Sequence, residues 1–251
     1  MVARTDKGLR RANNEDAVSI HPGSQPWPMA VLADGMGGYN AGEVASAMAT
    51  SLVTAALQSV STSSTLDSLP QARRQLRQAL GEALGLANAA ILNAAQETPG
   101  CQGMGTTVIA AALLPDLLML AHLGDSRAYG WRQGRLLRLT RDHTWLQEEI
   151  DAGRLHSEDA RQSGLGHLLT QALGVAQEIT PDFNEWPLQS GDRILLCSDG
   201  LTDMLEDEEL AALFADTPPL PVLLTSLLAA ANAAGGHDNI SAVLIEVQAQ
   251  A

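Results

Sequence analysis

Two short apolar runs set the opening pattern of the chain. "EDAVSI" (15–20) and "PMAVLAD" (28–34) are brief and bounded by the turn-forming "HPGSQPW", so each reads as a strand. From Gly42 to about Val60 the period changes. "GEVASAMATSLVTAALQSV" places small and apolar residues at helical spacing. The Ser/Thr-rich "STSSTLDS" reads as a surface connection. Pro70 then opens a long helix in which Leu76, Leu80, Leu84, Ala87 and Ile91 form one stripe, with Arg and Gln opposite. "TPGCQG" ends it.

A different texture follows. "GTTVIAAALL", "LLMLAHLG", "RAYGWRQ" and "RLLRLT" are short, strand-like and close together, with turn signals at Pro115-Asp116 and Gln133-Gly134. This predicts an antiparallel meander. "DHTWLQEEIDAG" and "SEDARQ" read as short helical pieces in a polar, glycine-flanked insertion. "DRILLCSDG" reads as a buried strand ending in a carboxylate, "EDEELAALFAD" and "PVLLTSLLAAANAA" as helices, and "NISAVLIEV" as a closing strand. No internal repeat and no linker stands out. Helices that alternate with runs of strands predict one α+β domain over 1–251, with helices packed on antiparallel sheets.

Composition narrows the partners. Among 251 residues, 45% are hydrophobic and 3% aromatic, so the core must be built from Leu, Val, Ile and Ala. The formal net charge of −14 disfavours nucleic acid and anionic membranes and suits cations. "MVARTDKGLRR" is not a signal peptide. "VIAAALLPDLLMLAHLG" is broken by Pro115 and Asp116 and is too short to span a bilayer. Cys101 and Cys197 fit reduced thiols, and a cytoplasmic location is the expectation.

The charge has a pattern. Asp16 ("NNEDA"), Asp34 ("LADGMGG"), Asp125 ("LGDSR"), Asp199 and Asp203 ("CSDGLTD") and Asp238 ("GGHDNIS") stand at strand ends or in turns, several beside glycine. Glycine there lets a second chain or an ion approach the backbone. Buried carboxylates are costly without cations. Oxygen ligands without a Cys or His cluster point to Mg²⁺ or Mn²⁺ rather than Zn²⁺. Each acid also has a plain reading. A lone "DG" is a common turn, Asp125 suits a turn with Arg127 nearby, and Asp203 suits the cap or first turn of the following helix. His122 reads as a satisfied core histidine.

The order of the blocks is more specific than any one of them. "TDKGLRRANNEDA", "VLADGMGGYNAGEVAS", "GMGTTVIAAALL", "AHLGDSRAYGWRQGRLLRLTRDHT", "HLLTQALG", "GDRILLCSDGLTDML" and "GGHDNISAVLIEV" occur in sequence from about Thr5 to Val247. Together they resemble the PPM family of metal-dependent protein serine/threonine phosphatases, the protein phosphatase 2C-like family, in its bacterial stand-alone form.

The resemblance implies an α-β-β-α fold, a central antiparallel β-sandwich flanked by helix pairs. It implies that Asp34 bridges two metal ions and that the Gly35 carbonyl binds the second. Asp199 and Asp238 would complete the first, and Glu15 and Asp16 would act on the second, largely through water. Asp125 and Asp203 would hold a third, weaker ion. Arg11 would grip the substrate phosphate, and a segment of about 142–166 would form a flap beside the cleft. Two tight Mn²⁺ or Mg²⁺ ions and a weaker third are thus expected. The implied reaction is hydrolysis of phosphoserine and phosphothreonine on proteins by in-line attack of a metal-bridging hydroxide, without a phosphoenzyme.

That chemistry is coherent. Two cations neutralise a dianionic phosphate and acidify water, and an Arg fork holds two phosphate oxygens. Neither cysteine lies in a Cys-(x)₅-Arg cradle. One position departs from the animal members, which carry a proposed acid, His, where this chain has Met36; bacterial relatives commonly have Met. The expected partners are phosphorylated proteins and a cognate Ser/Thr kinase, with no nucleic acid or membrane, for a chain acting as a monomer. Control of a secretion system is an analogy. Two other readings stay open: a catalytically weak phosphoprotein-binding regulator, and a small-molecule phosphomonoesterase.

Overall fold

A computed structural model describes residues 1–23, 27–37, 41–63, 68–155 and 168–248. Its strands form two antiparallel sheets. The first runs in the order β1 (Val2–Asp6), β11 (Ile240–Glu246), β10 (Arg193–Cys197), β7 (Arg127–Arg132) and β8 (Arg135–Arg138). The second runs β2 (Asp16–His21), β3 (Met29–Met36), β5 (Val108–Leu114), β6 (Leu117–Leu123) and β9 (Asp182–Pro187), and β4 (Gly105–Thr106) pairs with the end of β3.

Three apolar clusters explain the layering. Ala30, Leu32, Ile109 and Leu120 of one sheet meet Ala128, Ile194, Leu196 and Val243 of the other. Their neighbours Val31, Ala110 and Met119 point the opposite way, as the period of two requires. They pack on Ala45 and Val53 of α1 (Ala41–Ser63) and on Leu76, Leu80 and Leu84 of α2 (Leu69–Glu97). On the far side, Tyr129, Leu195 and Leu244 pack on Leu210 and Phe214 of α5 (Asp207–Ala215) and Leu223 and Leu227 of α6 (Leu220–Ala233). The result is α-β-β-α. Covering on both faces is why β3, β5 and β6 read as unbroken apolar runs rather than alternating ones. The stripe on α2 is buried along its whole length, Ala87 and Ile91 included.

The departures from expectation have physical causes. β1 and β9 carry "VARTD" and "DFNEWP", which show no apolar run. Both are edge strands, half in solvent, and owe their place to ladders with β11 and β6. Helix α1 continues to Ser63, into the stretch expected to be a connection. Strand β10 stops at Cys197. Asp199 instead opens a single turn, α4 (Asp199–Thr202), with Ser198 at its N-cap. A short helix, α3 (Trp145–Asp151), occupies "WLQEEID". "SEDARQ" and the rest of the expected flap beyond Leu155 lie outside the described residues. No helix among the described residues is long and apolar enough to cross a membrane.

Candidate active site

The site begins where β3 ends. Asp34 is fixed by its backbone. Its N–H donates to Thr107 Oγ1 at 3.0 Å, and its carbonyl accepts from Thr107 N at 2.9 Å and Thr106 Oγ1 at 2.8 Å. Thr107 Oγ1 lies 2.8 Å from Ser126 Oγ, tying this strand to the turn that carries Asp125. Across the β2–β3 ladder Asp34 stands in register with Asp16.

The glycines beside the acids answer to chain crossings. A Cβ on Gly35 would lie 2.1 Å from the Gly42 carbonyl oxygen and 2.6 Å from that of Glu15. On Gly200 it would lie 2.0 Å from the Asn239 carbonyl oxygen. Bare backbone after Asp34 and after Asp199 is what lets three chain segments meet at one point.

Two polar side chains not singled out in the sequence bind those segments together. Asn239 Nδ2 donates to the Lys7 and Asn13 carbonyls, both at 2.9 Å, and its Oδ1 accepts from Glu15 N at 2.7 Å. Ser198 Oγ donates to Asp16 Oδ2 at 2.9 Å and accepts from Ser241 N at 2.9 Å. Asp238 Oδ1 accepts from Asn239 N at 2.7 Å, and Arg11 Nη2 donates to Asp238 Oδ2 at 2.5 Å.

These elements enclose a cleft of about 1060 Å³ lined by Arg11, Glu15, Asp34, Gly35, Asp125, Asp199, Asp203 and Asp238. Asp16 is buried beneath it. Asp203 follows α4, and its N–H donates to the Asp199 carbonyl at 2.7 Å. The N-cap of the next helix, α5, is Glu206, so Asp203 does not cap it. Arg127 favours the charged form of Asp125 only through space: its guanidinium is hydrogen-bonded to Asp142 at 2.8–3.2 Å, and Arg138 pairs with the same carboxylate.

The electrostatics follow from crowding. Burial, then the charges of Asp16, Asp199 and Asp125, push the Asp34 carboxyl well above the usual range. Burial, then Asp125, Asp203 and Asp238, do the same to Asp199. Asp16 is pushed up to about 6, mainly by burial, and Asp125 to about 6 by burial and Asp142. Glu15 is also raised, first by burial. Asp16 Oδ1 and Asp199 Oδ1 are buried without a hydrogen-bond partner. Anionic oxygens left unpaired in a low-dielectric pocket are costly, and a hard dication satisfies them. The donor set therefore fits Mg²⁺ or Mn²⁺. The cysteines offer no alternative chemistry: both are buried, and burial pushes the Cys197 thiol up to about 12.

A sequence profile of the family described as Protein phosphatase 2C matches residues 9–244. This chain belongs to the protein phosphatase 2C family. The serine/threonine phosphatase stp of Listeria welshimeri is 34% identical over 97% of this chain and 94% of its own length. The structure of the Streptococcus agalactiae serine/threonine phosphatase superposes with a TM-score of 0.86 at 32% identity, covering 98% of each chain. The catalytic domain of the phosphatase PstP in complex with 2 manganese ions gives a TM-score of 0.80 at 36% identity, covering 99% of this chain and 97% of that one. Protein phosphatase 2C enzymes are metal-dependent, in keeping with the unpaired oxygens in the cleft.

A second polar cluster was not anticipated. His122, His143 and Asp182 each bring a ligand-type atom within 4.8 Å of the others. His122 is buried in the core, and neither ring nitrogen makes a full hydrogen bond, although the Ser126 backbone lies near enough to favour its charged form. Burial, then His143, lower its pKa to about 4.

Proposed function

We propose that this chain hydrolyses phosphoserine and phosphothreonine on proteins, in opposition to a Ser/Thr kinase, as a monomeric cytoplasmic enzyme built on a single domain. One observation carries the reading. A single cleft gathers Arg11 with Glu15, Asp34, Asp125, Asp199, Asp203 and Asp238, and buried carboxylate oxygens in and beneath it lack partners.

In this reading Asp34, Asp199, Asp238 and the Gly35 carbonyl would hold two tight ions, with Asp16 and Glu15 acting on the second. The register of Asp16 against Asp34 and the charge of Asp199, which helps push the Asp34 carboxyl up, support a shared pair of cations. Asp125 and Asp203 would hold a third, weaker ion; that both charges help push the Asp199 carboxyl up supports their nearness to it. Bound dications would neutralise the phosphate and acidify water.

The protein groups do the positioning. Arg11 lies half in solvent at the cleft rim, so its guanidinium can meet a phosphate with two parallel donors. Asp238 orients it from behind. Ser198 and Asn239 keep Asp16 and Glu15 in place against their repulsive neighbours.

Phosphate release from a phosphothreonine peptide with Mn²⁺, with and without chelator, tests the assignment. Activity should vanish in chelator. A kcat/KM higher for phosphotyrosine than for phosphothreonine peptides would overturn the substrate class.

A further inference from the structure

Behind Asp125 lies the cluster of His122, His143 and Asp182. Its composition suggests a cation, but its hydrogen bonds argue otherwise. The Gly124 N–H donates to His143 Nδ1 at 3.1 Å, so that nitrogen presents its lone pair to an amide. A neutral His143 then carries its proton on Nε2, which donates to Asp182 Oδ2 at 3.2 Å. A metal-ligating histidine donates its proton on one nitrogen in the same way but needs the lone pair on the other left free, and the Gly124 amide takes it here. Here both nitrogens are spent.

What the cluster grips is the chain at Gly124. The His143 N–H donates to the Gly124 carbonyl at 2.9 Å, so His143 occupies both main-chain polar groups of that residue. Gly124 has φ of +107°, and a Cβ there would lie 2.6 Å from Thr107 Cβ. The turn is thus held in a conformation that only glycine adopts comfortably, and the next residue is Asp125. His122 stacks on the His143 ring with centroids 4.8 Å apart and planes at 29°. Its lowered pKa keeps that neighbour neutral. Asp182 stands opposite His122 across the β6–β9 ladder, which brings its carboxylate to the same face.

We propose that Asp182 and His143 form a positioning dyad: Asp182 fixes the tautomer of His143, and His143 clamps the Gly124–Asp125 turn so that Asp125 is presented to the cleft beside Asp203 and Asp199. The proposal rests on the reading of Asp125 as part of the weak cation site.

The test combines Mn²⁺ titration of phosphothreonine-peptide turnover with calorimetric Mn²⁺ binding, which needs no turnover. His143→Phe keeps a ring against His122 and loses both side-chain hydrogen bonds. His143→Asn places a carbonyl oxygen where Nδ1 accepts from Gly124. The Phe variant should raise the Mn²⁺ needed at the weak site roughly three- to tenfold, the equivalent of about one hydrogen bond. The Asn variant should recover most of that loss. In an Asp125→Ala background, His143→Phe should add nothing further. Should the Phe variant fail to fold, Asp182→Ala, whose native side chain is 43% exposed, takes its place with the same expectations. Losses that multiply in the double variant, or an Asn variant as poor as Phe, overturn the dyad while leaving the site reading intact. Weak Mn²⁺ binding that survives Asp125→Ala unchanged overturns the reading of Asp125 and the dyad with it.

Discussion

Asp16 stands directly opposite Asp34 across the β2–β3 ladder, and each carboxyl is pushed up by burial, that of Asp34 also by the charge of Asp16. Like charges facing each other on adjacent strands destabilise a sheet. A shared proton relieves that repulsion in the metal-free protein, and a shared cation would relieve it at higher pH.

The first prediction concerns the metal-free protein. A carboxyl whose folded pKa lies above its unfolded one contributes stability that is complete below the unfolded value, 3.8 for Asp16, and is lost as pH rises through about 6. Asp34, Asp199 and Asp125 shift in the same direction. The Tm measured in chelator should therefore fall from about pH 5 to about pH 7.5, and Asp16→Asn should flatten that slope. Saturating Mn²⁺ should raise the Tm most at the upper end. A metal-free Tm that climbs over this range would contradict the electrostatic account.

The second concerns Asp34 itself. Its backbone is held by Thr106 and Thr107 independently of its carboxylate, so Asp34→Asn should fold. It should lose turnover of p-nitrophenyl phosphate at every Mn²⁺ concentration, and its metal-free Tm should equal or exceed that of the parent. Residual activity near the parental rate would remove Asp34 from the site.

The third concerns Arg11. It pairs with Asp238 at the cleft rim, and a phosphate must share its guanidinium. Arg11→Ala should cost about 1.5–3 kcal/mol in kcat/KM on phosphopeptides, the range for a charge-assisted hydrogen bond. Its neighbour Arg10 does not line the cleft, and Arg10→Ala should be tolerated. A silent Arg11→Ala beside a damaging Arg10→Ala would shift the phosphate clamp by one residue.

The fourth separates two glycines by their surroundings. The Cβ of Gly200→Ala would meet the Asn239 carbonyl, and backbone cannot easily yield, so the change should destabilise by about 1–3 kcal/mol, as overpacking does. Gly85 lies mid-helix in α2 with nothing near its Cβ position. Gly85→Ala should stabilise by up to about 1 kcal/mol, the difference in helix propensity. Denaturant titration of both variants checks the contrast.

The acids were legible in the sequence because they stand at local boundaries: Asp34 and Asp125 follow apolar runs, while Asp16 and Asp238 precede them. The same holds for β3, β5, β6 and the stripe of α2, whose periods are local. Ser198 and Asn239 were not legible. Their bonds to Asp16 and Glu15 span 182 and 224 residues and leave no short-range pattern. His143 is similar: its meaning lies in Gly124 and Asp182, which only the folding of the meander brings to it. Edge strands β1 and β9 escaped because half-solvated strands lack an apolar run. The purpose of the glycines after Asp34 and Asp199 emerged only from the chains that cross them.

The last prediction follows from Met36, which lines the cleft beside Asp34. A serine alkoxide is a poor leaving group and must gain a proton as the P–O bond breaks. A thioether has none to give. Nitrophenolate departs without one. If Asp125 and Asp203 hold a cation, acidity is available on their side of the cleft, and it matters only for the poorer leaving group. Asp125→Ala should then cost more on a phosphoserine peptide than on p-nitrophenyl phosphate at saturating Mn²⁺. Equal losses on both substrates would mean that Asp125 serves cleft shape or metal affinity in general. Unchanged rates on both would return Asp125 to the ordinary turn residue its sequence context also allows.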